Sequence, residues 1–264
     1  MADDPFDSAE FTLRRALHHA ENFDRLATEF MKSEPYASTV GFNAETGFRE
    51  VRIKVVRNFP EDLRGAAADA VKNIRDALDQ AMSAATFIVT GKRPRRTHFP
   101  FGESEDDLEN SLSRRKAWHY SDIPEELFPA IRFIKPYPHE GDDFRLKLLQ
   151  KVSGPHKHSV ALSLGCSTST GVGTIEMFNS FSATIYRIDF PEWDSSKGEV
   201  AIMSYPFELE DKLEFNISVH VAFDHPLMRE IPAIIMIKKW GQRAEWITRG
   251  LKKTAERIVA ERFS

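Results

Sequence analysis

"PEDLRGAAADAVKNIRDALDQAMSAATFIV", Pro60 to Val89, decides how the rest of the chain is read. At 100° per residue, Leu63, Ala67, Val71, Ile74, Leu78, Met82, Ala85 and Ile88 fall on one broad stripe, with Ala66, Asn73, Ala77 and Ala84 as a flank of small residues. Pro60 opens the run, and Gly91 and Pro94 stop it. The pattern predicts a single long helix. A stripe this wide, bordered by small side chains, belongs to a central helix that meets more than one neighbour.

Upstream, Phe11, Leu13, Ala16, Leu17, Ala20, Phe23, Leu26, Ala27 and Phe30 recur at helical spacing between Ser8 and Lys32, with Ser8 placed to cap the start. "STVGFNAETGFREVRIKVV" changes period. Val51, Ile53 and Val55 alternate with Arg52 and Lys54, and "ETG" supplies a turn, so a β-hairpin is expected over roughly Thr39 to Arg57. Downstream, "GKRPRRTHFPFGESEDD" reads as a loop. Two shorter helices follow near Glu105 to Trp118 and Pro124 to Ile134, and "FRLKLLQKV" is a third, ending at Gly154-Pro155.

Beyond His158 the chain becomes β-rich. "SVALSLG", "VGTIEMF", "FSATIYRIDF", "GEVAIMSY" and "KLEFNISVHVAF" are short and divided by turn signals. In the last, Phe215, Ile217, Val219, Val221 and Phe223 alternate with Asn216, Ser218, His220 and Ala222, which predicts one buried and one outward face. From about Pro232 the pattern is helical again, with Ile237, Trp240, Ile247, Leu251 and Ile258 on one side and eight Lys or Arg against three Glu. The expected fold is α+β: an N-terminal helical layer packed on a mainly antiparallel sheet from the C-terminal half, closed by a C-terminal helix. Residues 1–157 form the mainly helical half with its hairpin and 158–264 the β-rich half, within one structural domain.

A net charge of -4 gives no global reason to expect nucleic acid or an anionic membrane as partner, so local charge decides. No apolar run approaches the ~20 residues of a bilayer span, and "MADDPFDSAEF" lacks the basic start and apolar stretch of a secretory signal. A cytoplasmic protein is expected. The single cysteine, Cys166, excludes an intrachain disulfide and a multi-cysteine zinc site and reads as a small buried or turn thiol. "GCSTSTGVG" lacks the Lys-Ser/Thr ending of a P-loop and reads as a tight turn. No Gly-x-Ser-x-Gly elbow or His-Glu-x-x-His motif occurs, and no cofactor is expected.

The ordered set "NIRDALDQ", "HFPF", "IKPY" and "LLQKVSGPHKHS" resembles a family of uncharacterised bacterial proteins with an Asn-x-Arg-x-Ala-Leu-Asp helix, a Phe-Pro pair, a Pro-Tyr turn and a downstream Lys-His motif. The likeness covers about Leu63 to Val160 and implies no activity. It marks Asn73, Arg75, Leu78, Asp79, Phe99, Pro100, Pro136, Tyr137, Lys157 and His158. The chain departs from that pattern at Gln80, where the family's helix often carries His, and at His156-Lys157-His158, where it carries Asp-Lys-His.

Arg75 and Asp79, four apart, share one side of the long helix at the edge of its apolar stripe, where a charge needs a partner. One expectation is structural: the pair ties the helix to the "GPHKHS" loop through His158. A sharper one takes Arg75, Asp79, His156 and His158 as catalytic, with Asn73, Lys157, Arg93, Arg95 and Arg96 as binding residues. An Arg followed on a helix by a His resembles HEPN-type ribonucleases, in which such a pair acts on a phosphodiester without metal. With Gln80 in the His position, His156 or His158 would move the proton and Arg75 would meet the phosphate charge. A metal site on His156, His158 and a carboxylate is a weaker pattern, and none is predicted. "KRPRRTH" and the basic final helix with Trp240 and Trp246 suit nucleic acid, although "ESEDDLE" follows closely enough to neutralise the first. The leading expectation is a binding or interaction module for a nucleic-acid or protein partner, the alternative a phosphodiester hydrolase.

Overall fold

The computed structural model describes residues 4–95, 97–113, 120–139, 144–153, 164–169, 186–187, 193–194, 196–206, 218–225, 228 and 231–263. The fold is α+β, with helices, antiparallel strands and a closing C-terminal helix. The helices are α1 (Asp7–Lys32), α2 (Glu61–Thr90), α3 (Glu105–Ser113), α4 (Phe128–Ile134), α5 (Phe144–Ser153) and α6 (Ala233–Arg262). The strands are β1 (Tyr36–Asn43), β2 (Phe48–Val55), β3 (Leu164–Ser169), β4 (Tyr186–Arg187), β5 (Trp193–Asp194), β6 (Glu199–Pro206) and β7 (Ser218–Phe223). The chain forms two compact units. One takes Met1–Asn22, Gly65–Ala161 and Met236–Ser264, the other Phe23–Arg64 and Leu162–Ile235.

In the first unit α2 buries most of the stripe its sequence predicts: Ala67, Val71, Ile74, Leu78, Met82 and Ala85 are covered, with Ala66, Ala77 and Ala84 beside them, while the expected Ile88 is half-buried and Val89 is covered instead. Gly91 ends the helix in the left-handed region at φ 67°, where a side chain would be strained. Arg262, the last residue of α6, donates to the Val89 carbonyl and to Glu126. A cation therefore sits on the carbonyl end of α2, where the helix dipole favours it.

The α1 helix starts differently from expectation. Asp4 Oδ1 accepts the Phe6 N–H at 2.9 Å, and the Glu10 N–H reaches Phe6 O at 3.0 Å. Ser8 therefore lies inside the first turn rather than capping it, and its hydroxyl donates to Gln80 Oε1 at 3.0 Å. The face that is buried runs through Ala9, Leu13, Ala16, Ala20 and Phe23, while Phe11 and Leu17 are exposed. Spacing by three and four selects the first set, and the two outliers fall off it.

In the second unit the hairpin forms as predicted, with Gly47 at φ 72° in its turn and Asn43 Oδ1 accepting the Glu45 N–H at 2.9 Å. Its strand β2 then pairs antiparallel with β6, and β4 and β5 also pair with β6. The N-terminal hairpin is thus an integral part of the five-stranded sheet. β3 and β7 form a separate antiparallel pair. "GCSTS" is strand β3 rather than a turn, and Cys166 lies opposite Val221. Along β7, Val219, Val221 and Phe223 are buried as expected, but so is Ala222, which bridges to Pro232. The outward face is therefore closed at that position.

No helix among the described residues is long and apolar enough to cross a membrane.

Candidate functional site around Asp79

The centre of the site is one carboxylate. The α2 backbone brings Arg75 and Asp79 one turn apart on the same side, at the border of the buried stripe, and each side chain keeps under a fifth of its surface exposed. Asp79 Oδ1 accepts the Phe99 N–H at 2.7 Å and lies 3.4 Å from Arg75 Nη2. Its Oδ2 is 2.9 Å from His98 Nδ1. A carboxylate at this depth needs donors on both oxygens, and helix and loop supply them together.

The "HFPF" segment is shaped to deliver those donors. Phe99 is fully buried and Phe101 nearly so, their rings edge to face at 5.0 Å. The Arg75 guanidinium lies 4.0 Å from the Phe101 ring centroid, a cation held over an aromatic face. The next residue, Gly102, donates its N–H to Pro136 O at 3.0 Å, joining the segment to the "IKPY" turn. A Cβ at Gly102 would stand 2.7 Å from Ser104 O, so the backbone course requires glycine there. Tyr120 borders the same cluster. Burial raises its phenol above the ordinary value, outweighing Arg75 and a hydrogen bond with the Phe101 backbone.

Gln80 faces elsewhere. Five residues after Arg75 it lies about 140° round the helix, where its Oε1 accepts the hydroxyls of Ser8 at 3.0 Å and Thr12 at 2.9 Å. The residue in the family's His position thus joins α2 to α1. Asn73 also turns to its own helix, donating to Asp69 O at 2.7 Å.

Between the end of α2 and His98 runs the basic loop. Lys92, Arg93 and Arg95 are exposed and their side chains form no ion pair with any described residue. The acidic run that follows spends its charges elsewhere. Glu103 pairs with the buried Lys147 of α5, Asp107 Oδ2 accepts the Glu103 N–H, and Glu109 takes Arg132 in two bonds of 2.6 and 2.7 Å. Asp122 touches the loop only through the Arg95 backbone N–H, at 3.0 Å. The expected neutralisation of "KRPRRTH" by "ESEDDLE" is not among these contacts.

His156, Lys157, His158 and Arg96 lie outside the described residues. Among the described residues the histidine that meets Asp79 is His98, which the sequence presents as the end of a basic run and the head of "HFPF", outside the candidate site. A signal was present: the first break after a helix with an under-partnered carboxylate carries an imidazole. No cluster of three or more His, Cys, Asp or Glu suited to a metal ion occurs among the described residues.

A second surface lies between α4 and α6, a groove of about 610 Å³ lined by Phe133, Ile134, Trp246, Ile247 and Ile258, with Arg257 and Arg262 among its charged members. Trp240 is fully buried, as expected of an α6 tryptophan, but Trp246 is 44% exposed, 6.0 Å from the ring of Phe133 and 4.3 Å from the Arg243 guanidinium.

No family model matches the chain, and no curated protein or solved structure is significantly similar to it.

Proposed function

We propose that the chain is a binding module for the phosphate backbone of nucleic acid, engaged by Lys92, Arg93 and Arg95 beside the Asp79-anchored segment. The observation that supports this reading is the set of exposed cations that the neighbouring carboxylates leave uncompensated. Cations in that state displace the counterions condensed on a phosphate backbone, and their release drives association. Helix-dipole stabilisation does not account for them, since Arg262 already occupies the carbonyl end of α2. Arg96 adds a fourth positive charge to the run by sequence. The same reading makes this a cytoplasmic protein of bacterial type, in keeping with the resemblance of its motifs.

The test is fluorescence anisotropy with labelled single-stranded oligonucleotides across a salt series. Binding that weakens steeply with salt is expected, and replacing Lys92, Arg93 and Arg95 together by Ala reduces the log–log slope by about 2. A triple variant that binds with the wild-type slope removes the loop from the interface and the reading with it.

A further inference from the structure

Strand β1 is the edge of its sheet. Among the described residues it pairs on one side only, with β2. The Val56 N–H reaches Pro35 O at 2.7 Å, and the Val55 N–H reaches Gly198 O at 2.8 Å. By the alternation of an antiparallel ladder, the N–H and C=O groups of Tyr36, Ser38 and Val40 then point away from β2. Ser38, Thr39 and Val40 are exposed. Val40 lies opposite Val51 on the same face, yet Val51 is fully buried and Val40 is 47% exposed. The cover over this face therefore stops at β2.

Charge in the hairpin is placed against the usual pattern. A strand edge open to water is ordinarily guarded by Lys, Glu or Pro. "YASTVGFN" carries none of these, while Arg49, Glu50, Arg52 and Lys54 all lie on the inner strand β2. When two copies of one strand meet about a two-fold axis, each residue near the axis faces itself or a close neighbour, so a charge there would oppose its own kind. A neutral strand avoids that repulsion. A foreign peptide on an edge is selected by pockets for its alternate side chains, and Ala37, Ser38, Thr39 and Gly41 are too short to wall one.

We propose that β1 is a self-association edge, on which a second copy of this chain lays its own β1 antiparallel and extends the sheet across both copies. This role is separate from nucleic-acid binding and needs no nucleic acid. A two-fold axis perpendicular to the sheet keeps every side chain on its own face, so residues of equal parity come opposite one another. With the axis at Thr39, Ser38 of each copy exchanges N–H···O bonds with Val40 of the other, and the two Thr39 residues form the close pair between them. The exposed Val40 side chain then has a strand on each side of it.

The experiment is sedimentation velocity on the full, nuclease-treated chain from about 1 µM to 1 mM. The mass is expected to rise from 30.2 kDa toward twice that value. Val40→Lys raises the dimer dissociation constant by about tenfold or more. Ser38→Pro has the same effect, because it removes an outward N–H and leaves the donors that β1 gives to β2 in place. Phe133→Ser, at the exposed lip of the α4/α6 groove, leaves dimerisation unchanged. A cross-link reads the contact without weakening it: under mild oxidation Thr39→Cys gives a disulfide-linked dimer beyond the wild-type level, whose thiol is Cys166. Lys54→Cys, exposed on β2, does not.

Four outcomes overturn the proposal: a chain that stays monomeric throughout, a dimer that both β1 substitutions leave at full strength, a dimer lost in Phe133→Ser and kept in Val40→Lys, or a Thr39→Cys chain that cross-links no better than Lys54→Cys. Should a β1 substitution alter the circular dichroism of the chain, the cross-link alone decides.

Discussion

His98 Nδ1 stands 2.9 Å from Asp79 Oδ2, and the peptide N–H of the following residue, Phe99, stands 2.7 Å from the other oxygen of the same carboxylate. Two adjacent residues of a loop are thereby fixed on one side chain of a helix. The backbone bond is the more buried of the two. Asp79→Ala leaves the Phe99 N–H without its acceptor, and chemical denaturation is expected to show a loss of about 2–3 kcal/mol. His98→Ala, at the solvent side, costs under about 1 kcal/mol. Equal losses for the two variants would contradict this division.

Gly102 marks where the segment turns toward Pro136. Its missing Cβ accommodates Ser104 O at a distance no side chain tolerates. Gly102→Ala is expected to cost about 1–3 kcal/mol, as over-packing does, and to shift the Gly102–Pro136 contact. Hydrogen exchange of the Gly102 amide in the variant reads this directly, with faster exchange than wild type expected.

The two α6 tryptophans separate by burial. Trp240→Ala opens a cavity in a closed core and is expected to cost about 3–5 kcal/mol. Trp246→Ala removes a half-exposed ring from the α4/α6 groove and is expected to cost about 1 kcal/mol or less. Thermal unfolding of both variants checks the ranking, and iodide quenching of the fluorescence is expected to fall in Trp246→Ala and not in Trp240→Ala.

Acid destabilises this fold through identifiable carboxylates. The Lys252 hydrogen bond, with help from the Phe6 N–H, holds Asp4 below its ordinary value. For Glu50 burial pushes the other way, but the Arg52 and Asn43 hydrogen bonds together outweigh it. Asp194 is pulled down to about 2 by the Ser196 hydroxyl and Lys197. Each group binds a proton more readily in the unfolded chain. Its contribution is complete above the ordinary carboxyl range and is lost as pH falls through the lowered folded value. Tm is expected to decline below about pH 4.5, and Asp4→Asn to flatten that decline. An unchanged slope in the variant would assign the acid sensitivity elsewhere.

How much of this was readable beforehand depended on the range of the interactions. α2 and α6 were legible because thirty residues of 3.6-fold spacing average out local exceptions. Within α1 the same method included Phe11 and Leu17, which fall off the buried face, because composition alone does not say which of two apolar stripes is covered. The hairpin was legible from alternation and "ETG", but its pairing with β6 joins residues some 150 apart, and period-2 alternation names no partner. Arg75 and Asp79 were legible as a helix-edge pair in need of a partner. The paired imidazoles at His156 and His158, which lie outside the described residues, answer that need in sequence at least as well as His98, which ends a basic run. Exposed basic loops and near acidic runs look self-neutralising in sequence; here Glu103 and Glu109 reach partners on α5 and α4 instead.

The Asp79–Phe99 link also bears on the order of folding. It closes a segment of about twenty residues, for which chain entropy asks little compared with the β2–β6 pairing. Once α2 exists, its carboxylate can capture the following loop long before the distant strands meet. Early intermediates would therefore already carry the imidazole on its helix, and late steps would belong to the sheet.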